Sequence, residues 1–318
     1  MALPEMVFDA EEIRLKRIVD HTALLGYEEA GFVCGKIDQV YGPLAFRKKP
    51  EGRPLVYASY VMSVDGKIAF MDNEVGPLIA QNNYLDPNGA LADFWILNML
   101  RGQSDGIIIG SGTLIKEPNY SGSAYDRDIL DARRAAGKPL APWTVIVTRS
   151  GQNIPFHNPV FQCEEVPFLI ATSPVGYQSL IKDLPKDHVL LPVCQNEDDQ
   201  ETIRRVIRNC PDKIAVFVSG NEDEPDSSAL MKVLDAMGME KVLVESPAYC
   251  HHLMQKKLLH EIFINTSCVF VGGQATGIGS SETPFLSTDH PHCDIVSIHL
   301  HQTNFLYTRY CFRYDVMP

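Results

Sequence analysis

Four short segments carry residue types capable of ligand chemistry, and each of them follows an apolar run. The first is Met62-Ser63-Val64-Asp65-Gly66-Lys67-Ile68-Ala69. Gly66 permits a tight turn, and Asp65 and Lys67 place two charges at it. A lysine in such a turn can hold a phosphate or hydroxyl, or donate a proton if burial lowers its pKa; an ordinary solvated Asp-Gly turn would use the same residues. The second is Ile109-Gly110-Ser111-Gly112-Thr113-Leu114. Glycines after a strand let backbone N–H groups approach a pyrophosphate, and a helix start adds its positive dipole end. The segment is neither G-x-G-x-x-G nor a P-loop, and a structural turn would read alike. The third, Thr148-Arg149-Ser150, offers a guanidinium fork and two hydroxyls suited to the 2′-phosphate of NADP, or a plain loop arginine. In the fourth, Val244-Glu245-Ser246-Pro247, Ser246 fits an N-cap and Pro247 a first helical position. The segment is either a well-made helix start or a ligand loop with Glu245 aimed into a cleft.

These segments need a scaffold that gathers strand ends. Apolar runs at 55–62, 106–110, 143–148, 167–172, 188–193, 214–219, 241–245, 261–266, 294–301 and 306–313 read as strands, several of them unbroken Val/Ile runs suited to burial on both faces. Helices are expected at 89–102, 127–136, 199–209, 226–238 and 248–258. The alternation predicts an α/β fold with a mostly parallel sheet. The last two strands, joined by a polar turn at 302–304, predict an antiparallel hairpin. In such sheets ligands sit outside the carboxyl ends of the strands, where the four segments fall. Asp9 with Glu12 resembles a capping box and Gly26 a stop, so 9–26 is expected to be one helix. Residues 1–53 then form a helical appendage and linker, and 54–318 the main domain.

The chain has 318 residues, enough to bury a core without disulfides or metal. With 28 basic and 40 acidic residues its formal charge is −12, which argues against nucleic-acid binding. No apolar run reaches ~18 residues, so no membrane span is expected, and the acid-bearing start argues against secretion. The eight cysteines include no C-x-x-C pair and read as reduced thiols of a cytoplasmic protein. Cys250-His251-His252 and His290-Pro291-His292-Cys293 invite a metal reading, but adjacent helical residues point about 100° apart, and no metal is expected. His299 and His301 share a strand face and read as a surface pair. The glycines at 272, 273, 277 and 279 read as a flexible loop near the ligand.

Taken together, residues 54–314 resemble the C-terminal reductase domain of the bifunctional riboflavin-biosynthesis deaminase–reductase, a dihydrofolate reductase-like fold. The resemblance lies in S-V-D-G-K-I-A (63–69), L-R-G-Q-S-D-G-I-I-I-G-S-G-T (100–113), V-L-V-E (242–245), L-L-H-E-I-F-I (258–264) and V-G-G (271–273). It implies a three-layer α/β fold, NADPH as hydride donor, and a phosphoribosylamino-pyrimidine of the 5-amino-6-(5-phosphoribosylamino)uracil type, whose ribose is opened and reduced. It assigns Gly110, Ser111, Gly112, Thr113 and Ser246 to the cofactor, with Thr148, Arg149 and Ser150 at its adenosine-phosphate end. Lys67 and Glu245 become the catalytic residues, Ser63 and Asp65 join them on the substrate, and a homodimer is implied.

Some positions depart from the family pattern. Lys116-Glu117-Pro118-Asn119-Tyr120 stands where D-N-P is usual, with Arg127 a loose substitute for a later arginine, and E-G-G has become Glu245-Ser246-Pro247. Neither H-x-E nor P-C-x-x-C, the deaminase zinc signature, is present, so a stand-alone reductase is expected. The alternatives are a related NADPH reductase of another small substrate and a non-catalytic nucleotide-binding protein.

Overall fold

Val, Ile and Leu in unbroken runs favour strands that are covered on both faces, and that is what the runs become. The computed structural model describes residues 3–279 and 283–316. Its strands are β1 (Lys16–Asp20), β2 (Glu29–Ala30), β3 (Ala45–Phe46), β4 (Leu55–Ser63), β5 (Gly106–Gly110), β6 (Trp143–Thr148), β7 (Phe168–Thr172), β8 (His188–Leu191), β9 (Ile214–Val218), β10 (Lys241–Val244), β11 (Glu261–Ser267), β12 (His292–His301) and β13 (Phe305–Arg313). The helices are α1 (Gly35–Val40), α2 (Leu78–Gln81), α3 (Pro87–Gln103), α4 (Ser111–Lys116), α5 (Arg127–Ala135), α6 (Pro159–Gln162), α7 (Pro174–Leu180), α8 (Glu197–Asn209), α9 (Ser227–Ala236) and α10 (Pro247–Gln255).

Eleven strands form one sheet in the order β1-β12-β13-β11-β4-β10-β5-β6-β7-β9-β8. From β11 to β8 all pairs are parallel; β11–β13, β13–β12 and β12–β1 are antiparallel. The period of two along each strand splits the core into layers. Leu55 and Tyr57 of β4 join Ala92, Trp95, Ile96 and Met99 of α3 on one face. Val56 and Ala58 join Leu230 and Leu234 of α9 and Cys250 and Leu253 of α10 on the other. Helices on both faces of a mostly parallel sheet give the expected three-layer α/β fold.

The longest of these helices, α3, is locally well specified. The Asp86 side chain accepts from Gly89 N–H at 2.9 Å, and Pro87 occupies the first turn. Gly89 is required by packing: a Cβ there would stand 2.6 Å from both Asp86 and Phe305.

The expected helix over 9–26 is not formed. Residues 16–20 are the strand β1, paired antiparallel to β12 with Lys16 opposite Leu300 and Asp20 opposite Ser297. Local capping signals lose here to the ladder, because β12 would otherwise present an open edge of unpaired N–H and C=O groups. The same arm overturns the surface reading of two histidines. His299 and His301 are buried. Arg17 Nε donates to His299 Nε2 at 3.0 Å, and Tyr41 stacks on its ring at 4.1 Å. Burial, with Arg17 nearby, pushes the His299 pKa down to about 4, so the imidazole accepts as a neutral ring. His301 Nδ1 lies 2.8 Å from Asp86 Oδ2, at the cap of α3.

Arg309 of β13 ties the arm to the sheet. Its Nε donates to Glu261 Oε2 at 2.8 Å and its Nη1 to the Ala45 carbonyl at 2.8 Å. The rings of Tyr27, Phe46 and Phe263 surround the guanidinium at 4.7–5.1 Å. Both charges are buried, so removing one leaves the other without compensation. Arg309→Met should destabilise the protein by about 3–5 kcal/mol in urea unfolding, and Arg309→Met with Glu261→Leu should recover most of the loss. A single variant within 1 kcal/mol of wild type would show that the pair does not hold the arm.

Candidate active site

The site arises from a mismatch of strand lengths. β10 ends with Val244 opposite Ala58, and β11 pairs with β4 as far as Ser63 opposite Ser267. Residues 59–63 of β4 therefore run on without a neighbour on the β10 side, for about 16 Å at ~3.3 Å per residue. α3 closes one wall of this notch, and the loops after β5, β6 and β10 close the others. The result is a cavity of about 1370 Å³ lined by residues from all of these elements.

Eight of the sequence-assigned residues line this cavity: Gly110, Ser111, Gly112, Thr113, Thr148, Arg149, Glu245 and Ser246. They come from the ends of β5, β6 and β10. At Gly110 the loops after β5 and β10 nearly touch, since a Cβ there would stand 2.9 Å from Ser246 Oγ. Gly112 has no neighbour within 4 Å of such a Cβ, so its backbone is laid bare. Amides in the first turn of a helix such as α4 have no intrahelical acceptor. Thr148 Oγ1 accepts from Gly151 N–H at 3.1 Å, which shapes the turn that carries exposed Arg149 on the rim. Ser150 is not in the lining; its hydroxyl accepts from Gln152 N–H at 3.3 Å.

Ser63, Asp65 and Lys67 are not brought into the lining, although Ile68 and Ala69 are. Ser63 Oγ donates to Asp65 Oδ1 at 2.7 Å and accepts from Lys67 N–H at 2.9 Å. Asp65 also accepts from the amides of Val271 at 3.1 Å and Gly272 at 2.7 Å. The Ser63 hydroxyl and these amides hold its pKa down to about 2. The turn is a clasp between the loop after β4 and the loop after β11.

Glu245 is gripped by a residue the sequence reading passed over. Arg101 Nε and Nη2 donate to its two oxygens, each at 2.7 Å. The pair is nearly enclosed, with side chains 4% and 9% exposed. Arg101 Nη1 donates to the Ser123 carbonyl at 3.3 Å, and the rings of Tyr120 and Tyr125 lie 5.2 and 5.8 Å from the guanidinium. Burial first, and then negative Glu245, push the carboxyl of Glu117 up. Arg127 does not serve as the substitute arginine: it pairs with Glu5 at 3.2 Å on the surface. Arg101 was available in the L-R-G-Q-S-D motif. Its spacing from Asp93 and Leu97, four residues at each step, puts all three on one helix stripe, and all three line the cavity.

Asp93 is the second unforeseen residue. It sits mid-helix in α3, partly buried, and Asn265 Nδ2 of β11 donates to its Oδ1 at 2.6 Å. Burial pushes its pKa up to about 7, against which the Asn265 bond acts only partly. A carboxyl that holds its proton to a higher pH folded than unfolded makes the fold lose stability as pH rises between the two values. The urea midpoint of wild type should therefore fall between about pH 4 and pH 7 more steeply than that of Asp93→Asn. Parallel pH profiles for the two proteins would place Asp93 in solvent.

A protein of Archaeoglobus fulgidus described as a 2,5-diamino-6-ribosylamino-4(3H)-pyrimidinone 5′-phosphate reductase is 23% identical over 224 residues, 70% of this chain and 84% of that one. Among solved structures, a pyrimidine reductase-like protein of Corynebacterium diphtheriae matches with a TM-score of 0.57 at 16% identity, covering 82% of this chain and 93% of the other. The Thermotoga maritima diaminohydroxyphosphoribosylaminopyrimidine deaminase/5-amino-6-(5-phosphoribosylamino)uracil reductase matches with a TM-score of 0.51 at 14% identity, covering 87% of this chain and 59% of that one. These structural likenesses establish the shared fold. The RibD C-terminal domain family matches residues 54–305, which takes in every strand from β4 to β12 and the whole lining described above, and the chain belongs to that family.

Proposed function

We propose that this protein is an oxidoreductase of riboflavin biosynthesis that uses NADPH to reduce a phosphoribosylamino-pyrimidine. The observation that carries the reading is the meeting of three strand-end loops and the Arg101–Glu245 pair on one cavity in a chain of this family. The bare backbone at Gly112 and the exposed Arg149 on the same rim fit a dinucleotide with a 2′-phosphate. Such a cofactor supplies the hydride.

On this reading residues 110–113 hold the pyrophosphate, Ser246 flanks it, and Thr148 and Arg149 hold the adenosine-phosphate end. Ser150 serves the turn beneath them. Glu245 receives a ribose hydroxyl on lone pairs left over from Arg101. Opening the ribose requires a proton on its ring oxygen as the bond to C1′ breaks and the exocyclic nitrogen forms a double bond to that carbon. Glu117, whose carboxyl burial and Glu245 keep protonated to higher pH, is the acid in the cavity suited to that step. Ser63 and Asp65 act by holding the loops around the mouth, where Lys67 meets the entering substrate. The arm of residues 1–53 supports the sheet, the protein acts as a homodimer, as the resemblance implies, and its scattered cysteines are those of a cytoplasmic protein. The altered segments Lys116-Glu117-Pro118-Asn119-Tyr120 and Glu245-Ser246-Pro247 favour one second reading, a reductase of a different small substrate on the same frame.

Loss of reduced-nicotinamide absorbance on mixing the protein, NADPH and the pyrimidine tests the reading directly, and no turnover with any pyrimidine of this class would overturn it. NADPH should bind more tightly than NADH, and Arg149→Ala should remove most of the preference, about 1.5–3 kcal/mol for a charge-assisted contact. Equal affinities in the unaltered protein would rule out that placement of the phosphate. Gly112→Val should leave thermal stability unchanged, because the position faces open space. The same variant should abolish NADPH binding in calorimetry; full affinity in the folded variant would make the loop purely structural.

A further inference from the structure

The turn from β3 into β4, Arg47-Lys48-Lys49-Pro50-Glu51-Gly52-Arg53, packs basic residues together on a chain whose formal charge is −12. Gly52 takes a φ of +68°, a left-handed conformation that lets the chain double back into β4. Arg47 and Arg53, at the two ends of the turn, are half-buried. Arg53 makes no hydrogen bond or ion pair among the described residues. Arg47 donates from Nη1 to the Cys311 thiol at 3.1 Å, and sulfur is a weak acceptor. Glu51, the acid of the turn, is exposed and pairs with neither arginine. His260, just before β11, meets both guanidiniums. Burial, then Arg53, with Arg47 adding to it, push its pKa down to about 4, so the imidazole is neutral. Its Nδ1 accepts from Val56 N–H at 2.9 Å, which places the ring proton on Nε2. Nε2 is enclosed and has no acceptor among the described residues. A buried donor without an acceptor is destabilising, and neighbouring like charges add repulsion. Glu261, the next residue, is committed to Arg309. Donors that converge from three segments with no acceptor among them suit an anion.

We propose that Arg47, Arg53 and His260 Nε2 form a binding site for a phosphoryl group, separate from the cavity. Arg53 and His260 precede β4 and β11, at the amino ends of the parallel strands, whereas the cavity opens at the carboxyl ends, and none of the three residues lines it. Two guanidinium forks and one imidazole N–H match the several acceptor oxygens of a tetrahedral dianion. A carboxylate, with one charge and two oxygens, would leave a donor unmet. Arg53 has no contact to break, so its long side chain swings to admit the ligand to the enclosed Nε2 and then grips it. The ligand is inorganic phosphate or the phosphate of a small monoester, which present the same group. This site is independent of the reductase reading.

The test is titration of the full chain with inorganic phosphate, at an ionic strength held constant with chloride. Binding is read by calorimetry and by the imidazole proton signals, with that of His260 assigned through His260→Gln. Phosphate should bind, shift the His260 signal and raise the melting temperature, as a ligand of the folded state does. Arg53→Gln should weaken binding at His260 by about 10-fold or more, the loss expected of a charge-assisted hydrogen bond, and Arg47→Gln should act in the same direction. In chloride alone Arg53→Gln should be at least as stable as wild type, because it relieves repulsion and breaks no contact. Adenosine 5′-monophosphate separates the two sources: tighter binding than phosphate at His260 assigns the site to an ester, and equal or weaker binding to the free anion. A His260 signal that neither ligand moves, an affinity unchanged in both arginine variants, or an Arg53→Gln protein that loses stability in chloride overturns the inference.

Discussion

The pairing of Arg101 with Glu245 is the interaction around which the cavity is organised. Two charges this enclosed lose most of their hydration, and only near-ideal geometry offsets that loss. Here the guanidinium meets both carboxylate oxygens, donates again to the Ser123 carbonyl, and lies between two tyrosine rings. The pair joins the C-terminal part of α3 to the end of β10, which are 144 residues apart in the chain. It thereby fixes the distance between the helix wall and the sheet, and with it the width of the notch beside β4. Its negative member also helps to set the state of Glu117.

Charge in the cavity is asymmetric, with acids inside and cations among the outer lining residues. Arg101 is committed to Glu245, and Arg149 and Lys116 stand among the outer lining residues. Lys116 meets Glu74 in a surface pair. The interior acids, Asp93 and Glu117, are both pushed towards neutrality by burial. The overall charge of −12 would repel an anionic ligand at long range, but this repulsion is screened beyond about 8–10 Å at physiological salt, so the local rim cations decide how a phosphate is received.

The amino-terminal arm shows how a sheet edge can outweigh local preference. Asp9, Glu12 and Gly26 are sound helix signals taken alone. A helix over 9–26, however, would have left the outer edge of β12 unpaired and His299 and His301 exposed. The chain instead adds β1, threads Ile13 and Leu15 into the core with Tyr57 and Trp95, and anchors the following segment on Arg309. That anchor lies on β13, next to β11, whose far end carries Asn265. The arm therefore supports, at one remove, the strand that orients Asp93.

Ten strands and the five longest helices were legible in the sequence, because apolar runs and 3.6-residue periodicity report burial that is nearly independent of distant partners. Part of the cavity lining was legible too, since in a parallel sheet clefts open at the strand ends: the residues at 110–113, 148–149 and 245–246 fall there and line the cavity. What remained hidden were relations between segments. The role of Ser63 and Asp65 as a clasp depends on the amides of Val271 and Gly272, over 200 residues away. The burial of two histidines depends on an arm that pairs at the opposite end of the chain. Asp93 and Arg101 look in sequence like ordinary polar residues on a helix; only the tertiary structure turns their stripe inward. Periodicity states that a helix has a buried face, but the length by which β4 outruns β10 decides that this part of the face borders a cavity instead of core, and that difference is a property of pairing register, which no local run of residues encodes.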